Sequence, residues 1–439
     1  MISILPNIIF SFLLIISVGF FSLNIKKLIK VIKLGKPVDR FDNPSKRLSN
    51  MIRIALGQSK MVTKPISGIL HVVVYVGFII INIEVLEIII DVITGSHRFF
   101  SKIFNTYFYN FLIASFEIFA LLVLISVFIF WTRRNIVKIK RFLSAEMKGW
   151  PKFDADNILY FEVVLMLLFL SMNATDFILQ ERNYDNYYSA GSFPISTFLV
   201  PLFDSLSTSS VYYLERTFWW SHIIGIFFFL NYLYYSKHLH ILLAFPNTYF
   251  ANLEDKGKFN VLESVKNEVL LMFYPEKASQ NTQNIDKFGA SDVLDLNWVQ
   301  LMNAYSCTEC GRCTSECPAN ITGKKLSPRK IMMDTRDRLE KVSKNISINK
   351  GKFIDDGDRL LDNYISKEEL WACTSCNACV EACPINIDPL SIIMDMRQYL
   401  IMEESSAHPD LNNMMNNIEN NGAPWPYNQQ DRELWIQET

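Results

Sequence analysis

The chain has 439 residues, half of them hydrophobic, and a net charge of −1 from 43 Lys+Arg against 44 Asp+Glu. That balance supplies no overall positive field to attract nucleic acid. Apolar residues crowd into the first 245 positions, so the two parts of the chain meet different solvents. All eight cysteines fall between Cys307 and Cys383, leaving none for a structural disulfide. Thiolates used this way suit a reducing compartment.

Five apolar stretches, near 2–24, 66–93, 111–131, 157–180 and 217–243, are long enough to cross a hydrocarbon core that takes about 20 helical residues. The first has no basic residue ahead of it and no small-residue cleavage site after it, which predicts a retained anchor rather than a secretion signal. Positive charge is held on the cytoplasmic side. The loop at 25–65 carries Lys26, Lys27, Lys30, Lys33, Lys36, Arg40, Lys46, Arg47, Arg53, Lys60 and Lys64. The third connection adds Arg133, Arg134, Lys138, Lys140, Arg141, Lys148 and Lys152, whereas 94–110 has only Arg98 and Lys102 and 181–216 only Arg182 and Arg216. The alternation predicts a multi-pass protein of the inner (cytoplasmic) membrane, N-terminus outside, with everything after about residue 244 in the cytoplasm.

Four of the six histidines, His71, His222, His238 and His240, lie in or at the ends of the second and fifth stretches, where histidine is costly enough to suggest function. His222 and His240 are 18 residues apart, five turns at 3.6 residues per turn, and so are expected to share a face. His238 would point nearly the other way and is taken as a boundary residue. His71 and His240 are expected at similar depth, where two imidazoles can clamp a haem iron. His222 would sit roughly 27 Å away along its helix. Interfacial or packing histidines are the alternative. Glu84, Glu87, Glu117, Glu162 and Asp176 also fall within or near the stretches and need partners or a purpose. Glu84 and Glu87, towards the outer half of the second stretch, are candidate proton acceptors for a quinol. Carboxyls bonded across helices are the alternative.

The cytoplasmic part contains CTECGRCTSECPA, with Cys307, Cys310, Cys313 and Cys317, and CTSCNACVEACPI, with Cys373, Cys376, Cys379 and Cys383. Both are C-x2-C-x2-C-x3-C-P, in which three close thiolates grip one 4Fe–4S cubane and the fourth reaches the other. Cluster 1 is then expected on Cys307, Cys310, Cys313 and Cys383, and cluster 2 on Cys373, Cys376, Cys379 and Cys317. Structural zinc would use paired C-x2-C knuckles instead. The long connection between the motifs, with SPRKIMMDTRDRLEKVSK and KEELW, predicts helices. The expected organisation is a membrane domain at 1–245, a linker at 246–295, a two-cluster domain at 296–404 and a tail at 405–439. Trp425 and Trp435 mark that polar tail as a partner-docking segment, the alternative being a terminus folded back on its own domain.

The membrane part, with His71 opening its second helix and SHIIGIFFFLNYLYYSKHLH in its fifth, resembles the cytochrome b subunit of respiratory nitrate reductase. The cysteine part, with CTECGRCTSECPA, GKKLSPRKIMMDTRD and GAPWP, resembles heterodisulfide-reductase-type iron–sulfur proteins. The resemblance implies a mainly α protein: a five-helix transmembrane bundle followed by an α-helical dicluster ferredoxin domain. It further implies haem b on His71 and His240, an outer-haem ligand at His222, quinone as substrate, and a separate cytoplasmic, cysteine-rich catalytic subunit. Ile81 stands where the fourth haem histidine would be expected, which leaves a second haem in question. Relatives of the heterodisulfide type carry further catalytic modules, which are expected here on another polypeptide. The function implied is electron relay between membrane quinone and that partner. The alternative is a membrane-anchored iron–sulfur redox sensor or scaffold.

Overall fold

The computed structural model describes residues 4–185, 187–255, 257–258, 263–277, 287–426 and 428–437. Among them there is no strand, only two isolated bridges, Lys36 with Asn297 and Leu361 with Ile365. Four helices are long and apolar enough to cross a membrane: α1 (Ile4–Ile32), α2 (Pro65–Thr94), α3 (Thr106–Asn135) and α4 (Trp150–Glu181). Proline opens α2, and Asn105 caps α3 by accepting from the Phe108 amide at 2.9 Å. α1 runs past its expected end, so Lys26, Lys27 and Lys30 ride on its last turns, where cations complement the helix dipole.

The fifth stretch departs most from expectation. α5 (Thr208–Tyr232) starts earlier than 217 and stops well before 243. Its apolar residues are diluted by Glu215, Arg216, His222 and Asn231, and it falls outside the group of four. The stop has a distant cause. Asp154 of α4 is buried and accepts from the Tyr232 hydroxyl at 2.7 Å and the Lys237 amide at 3.0 Å. Ser236 is extended, and its hydroxyl accepts from the His238 amide. The backbone therefore passes through two 3-10 turns, Leu233–Tyr235 and Lys237–Leu239, before α6 (His240–Tyr249) begins. A continuous helical face from His222 to His240 does not exist.

Glycines let the helices touch: a Cβ on Gly77 would meet Val123 at 2.8 Å and one on Gly225 would meet Leu165 at 2.8 Å. Ile81, Phe116, Phe169 and Phe229 share one apolar core across α2, α3, α4 and α5.

The cysteine part has its own core, including Leu301, Ile331, Leu339, Ile392 and Met396, on α7 (Trp298–Ser306), α8 (Pro328–Ile348) and α9 (Pro389–Met402). It begins earlier than the expected 296. Arg338, fully buried, holds Asp292 with bonds of 2.7 and 3.0 Å and Asp356 with bonds of 2.7 and 3.0 Å, and the Ala290 amide donates to the Asp395 carbonyl. Residues 287–295 thus belong to the folded unit, while the middle of the expected linker, 278–286, lies outside the described residues. α10 (Pro409–Asn421) occupies the tail with no buried residue.

The cysteine unit sits on one end of the bundle, and that end carries the basic loops. Lys36 pairs with Leu296 and Trp298 through backbone bonds of 2.8 and 3.1 Å. Arg312 donates to the Lys60 and Met61 carbonyls at 3.0 Å, Lys64 pairs with Glu316 at 2.8 Å, and Arg329 pairs with Glu146 at 2.8 Å.

Candidate iron–sulfur and haem centres

The two cysteine motifs fold alike because their sequences place the same turns at the same offsets. Two and four residues after the first cysteine the backbone is left-handed, at Glu309 (φ 56°) and Gly311 (φ 72°) in one motif and Ser375 (φ 58°) and Asn377 (φ 60°) in the other. Short helices follow, Arg312–Ser315 and Ala378–Ala382, each leading to a Cys-Pro pair. A left-handed turn at glycine or asparagine costs little. At Gly311 a side chain is also excluded, since a Cβ would stand 2.6 Å from the Arg329 guanidinium.

One cavity is lined by Cys307, Cys310 and Cys313 together with Cys379 and Cys383 from the second motif. The sequence separation is closed by α8 and α9, whose starts are set by Pro328 behind a Ser327 cap and Pro389 behind an Asp388 cap. The complementary group, Cys373, Cys376 and Cys379 with Cys317, also comes together: Cys317 acts electrostatically on both Cys373 and Cys379. Cys376 is exposed, whereas Cys307, Cys317 and Cys383 are buried. Burial pushes the Cys307 thiol up to about 12 and the Cys383 thiol up to about 11. Thiolates so dry need a metal cation beside them, and coordination deprotonates a thiol outright. The eight sulfurs, their spacing and their burial fit two cubanes.

On the membrane side His71 and His240 are brought together, with ring centroids 6.4 Å apart. A metal between two ring nitrogens, each about 2 Å from it with the ring centre roughly 1 Å farther, requires about 6 Å. His240 Nδ1 lies 2.9 Å from the Lys237 carbonyl oxygen, which as acceptor fixes the tautomer and leaves Nε2 as the ligand atom. His71 Nδ1 is buried without a partner among the described residues. Two imidazoles so placed are a candidate ligand pair for one iron. His238, expected to point away, has its ring 5.5 Å from that of His240 and edge-on to Phe229. The broken helix turns it inward.

His222 is not part of this group. It is buried, its Nδ1 lies 3.0 Å from the Leu165 carbonyl oxygen, and its ring faces Phe169 at 5.9 Å. Phe169 belongs with Ile81 to one apolar core, and no second histidine adjoins His222 among the described residues. The carboxyls are bonded across helices. Glu87 accepts from the Tyr109 hydroxyl at 3.1 Å and the Phe100 amide at 2.8 Å, and Glu117 accepts from Asn173 at 3.2 Å and the Ser196 amide at 3.1 Å. The exceptions are Glu84, with Oε2 buried and unpartnered, and half-buried Glu162, which has no hydrogen bond among the described residues.

Sequence reasoning missed Lys237 and Glu309. Lys237 follows the helix break and Glu309 stands between Cys307 and Cys310; the two form a buried ion pair, shared on the Glu309 side with Arg336 at 2.9 Å. Burial alone would raise the Glu309 carboxyl, but Lys237 and Arg336 outweigh it and hold the group below its usual range. Because the Lys237 carbonyl also meets His240, one residue touches both centres. The only sequence signal was a charged residue inside each motif, which surface loops carry as well.

Residues 306–387 match the 4Fe-4S dicluster domain family. The chain is 28% identical over 445 residues to a Bacillus subtilis (strain 168) protein named "Probable iron-sulfur-binding oxidoreductase FadF", covering 94% of this chain and 58% of that one. It is 23% identical over 449 residues to the EtfAB:quinone oxidoreductase of Syntrophomonas wolfei subsp. wolfei, covering 97% and 59%. One component of the ferredoxin/F(420)H(2)-dependent CoB-CoM heterodisulfide reductase of Methanosarcina acetivorans is 29% identical over 115 residues, 26% of this chain and 56% of that component. The chain therefore spans less than two thirds of the first two relatives' own lengths. No solved structure matches. The likeness supports iron–sulfur electron transfer of the oxidoreductase kind.

Proposed function

We propose that the chain is a membrane-bound electron-transfer subunit that relays electrons between membrane quinone and a cytoplasmic catalytic partner, through haem b and two 4Fe–4S clusters. The observation that carries the reading is the meeting of Cys307, Cys310 and Cys313 with Cys383 around one cavity. Cluster 1 is assigned to those four, cluster 2 to Cys373, Cys376, Cys379 and Cys317, and one haem, in an arrangement like that of nitrate-reductase cytochrome b, to His71 and His240. When bound, these groups supply one-electron carriers at graded potentials.

The chain's own residues orient and order the centres. Lys237 and Glu309 lock the cluster 1 loop against the haem site. Lys60 donates to the Cys383 carbonyl at 3.2 Å and the Val380 carbonyl at 3.3 Å, setting a cation beside the same centre. Exposed Cys376 makes cluster 2 the exit. α5 serves as a fifth span, with the basic loops and the cysteine unit on the cytoplasmic side of the inner membrane. The exposed Trp425 (59%) and Trp435 (67%) dock the partner. The names of the relatives support quinone on one side and heterodisulfide-type catalytic partners on the other.

Anaerobically purified protein should contain about eight irons in clusters and one haem b per chain. Added quinol should reduce the haem, and His71→Ala should abolish its absorption bands. Zinc in place of iron, or clusters without haem, would overturn the reading.

A further inference from the structure

The end of the helix bundle away from the cysteine unit holds charged residues that the electron route does not use. Arg98, left-handed at φ 52° in the connection after α2, turns its guanidinium inward. It donates to Asp176 Oδ2 from Nε at 3.0 Å and from a terminal nitrogen at 2.6 Å, and to Asn173 at 3.1 Å. Asn173 links onward to Glu117. Asp91 fixes the turn by accepting from the Arg98 and Phe99 amides, each at 2.8 Å. His97, a quarter exposed, has Nε2 3.3 Å from Asp176 Oδ1, and Tyr188 donates to its carbonyl.

Counting hydrogen-bond donors isolates one residue. Four buried carboxyls, Glu84, Glu87, Glu117 and Asp176, face one guanidinium, with His97 a second cation only when protonated. Asp176 has its ion pair, Glu117 its amides, and Glu87 Tyr109 and the Phe100 amide. Glu84 is left over. One turn before Glu87 on α2, it is 4% exposed, its Oε2 meets no donor among the described residues, and Arg98, Glu87, Glu117 and Asp176 all act on it electrostatically. A buried intramembrane carboxyl with no donor of its own is a candidate proton carrier.

We propose that Glu84 exchanges protons with the quinone, and that the polar network of Glu87, Tyr109, Arg98, Asp176 and His97 lies between it and the surface at that end. The inference rests on the quinone reading above. On conversion of a quinol to its quinone both O–H bonds break; two electrons pass to the carriers held by the histidines and cysteines, and two protons need a base. The Glu84 carboxylate takes one, forming its own O–H, and releases it to water at that end of the bundle before taking the second. Quinone reduction runs the same steps backward.

The test is Glu84→Gln in the full chain with haem and clusters loaded, using a short-chain naphthoquinol and, in a separate arm, a short-chain benzoquinol. Dithionite-reduced spectra, which need no quinone, should match the parent. Haem reduction by quinol should slow by at least about a hundredfold, the low end for losing a proton-transfer group. A carboxyl band in the parent's redox-difference infrared spectrum should vanish in the variant and return in Glu84→Asp. Should E84Q lose its haem band, Glu84→Asp is read instead, with a shifted infrared band expected. A variant that keeps the band and the parental quinol rate overturns the proposal. A parent reduced by dithionite but by neither quinol overturns the quinone reading, and this inference with it.

Discussion

Lys237→Met tests whether the cysteine unit is locked to the haem site by one ion pair. In the parent, Lys237 Nζ meets Glu309, also donates to the Pro151 carbonyl at 2.6 Å and lies 3.8 Å from Asp154. Both carboxylates are nearly inaccessible, with side chains 2% exposed. Removing one partner of a buried pair costs about 3–5 kcal/mol because a desolvated charge is left behind. Glu309 keeps Arg336 at 2.9 Å, so we set the cost at about 2–3 kcal/mol, or roughly 30- to 150-fold in the opening equilibrium of this contact. Hydrogen exchange of amides in 233–239 and 307–311 should accelerate by that factor. The haem bands should persist, because His240 is tied to the Lys237 carbonyl and not to its ammonium. Adding Glu309→Gln should not recover the loss, because it takes the carboxylate partner from Arg336 in turn. Exchange within about twofold of the parent would refute the assigned role, and loss of the haem would refute the backbone tie.

Cys383→Ala and Cys317→Ala should each halve the cluster iron from about eight to about four per chain, and electron paramagnetic resonance should show Cys383→Ala matching Cys310→Ala, not Cys376→Ala. His71→Ala should abolish the b-haem absorption, whereas His222→Leu should leave it at the parental haem-to-protein ratio. Burial pushes the Asp395 carboxyl up to about 6, against one bond from Gln300 at 2.6 Å. An acid raised on folding favours the folded state at low pH and loses that contribution as pH rises through about 6. Asp395→Asn should therefore stabilise the cysteine unit by about 1–3 kcal/mol at pH 8 and hardly at all at pH 4, read as the thermal loss of cluster absorbance.

What was legible in the sequence was local. A cubane demands three thiolates within one short loop, so Cys307, Cys310 and Cys313 declare themselves, as do the apolar runs that become α1, α2, α3 and α4. What was not legible is set by residues far apart. The 217–243 stretch reads as one helix, and only Asp154, from another helix, accounts for the break that turns His238 inward. Arg98 counts as a loop charge in the positive-residue pattern, yet it is buried, because Asp176 and Asn173 lie 75 or more positions later. The linker was drawn too long for the same reason: Asp292 looks like a polar spacer until Arg338, on α8, is seen to hold it.

The same long-range contacts explain how one basic end can serve two purposes. Lys and Arg beside a membrane are retained on the cytoplasmic side by the topology rule alone, which would leave them solvated. Here Lys60 and Lys237 are turned onto the first cysteine cavity, one through the carbonyls of Val380 and Cys383, the other through Glu309. Nearby charge and hydrogen bonding tune a cluster's potential, so in the proposed relay a centre on the first cysteine cavity would be tuned by residues of the membrane part, and a centre at exposed Cys376 by its own domain. If the chain relays electrons as proposed, loosening the Lys237–Glu309 contact should slow haem-to-cluster transfer while leaving exchange between cluster 2 and a soluble dye unchanged.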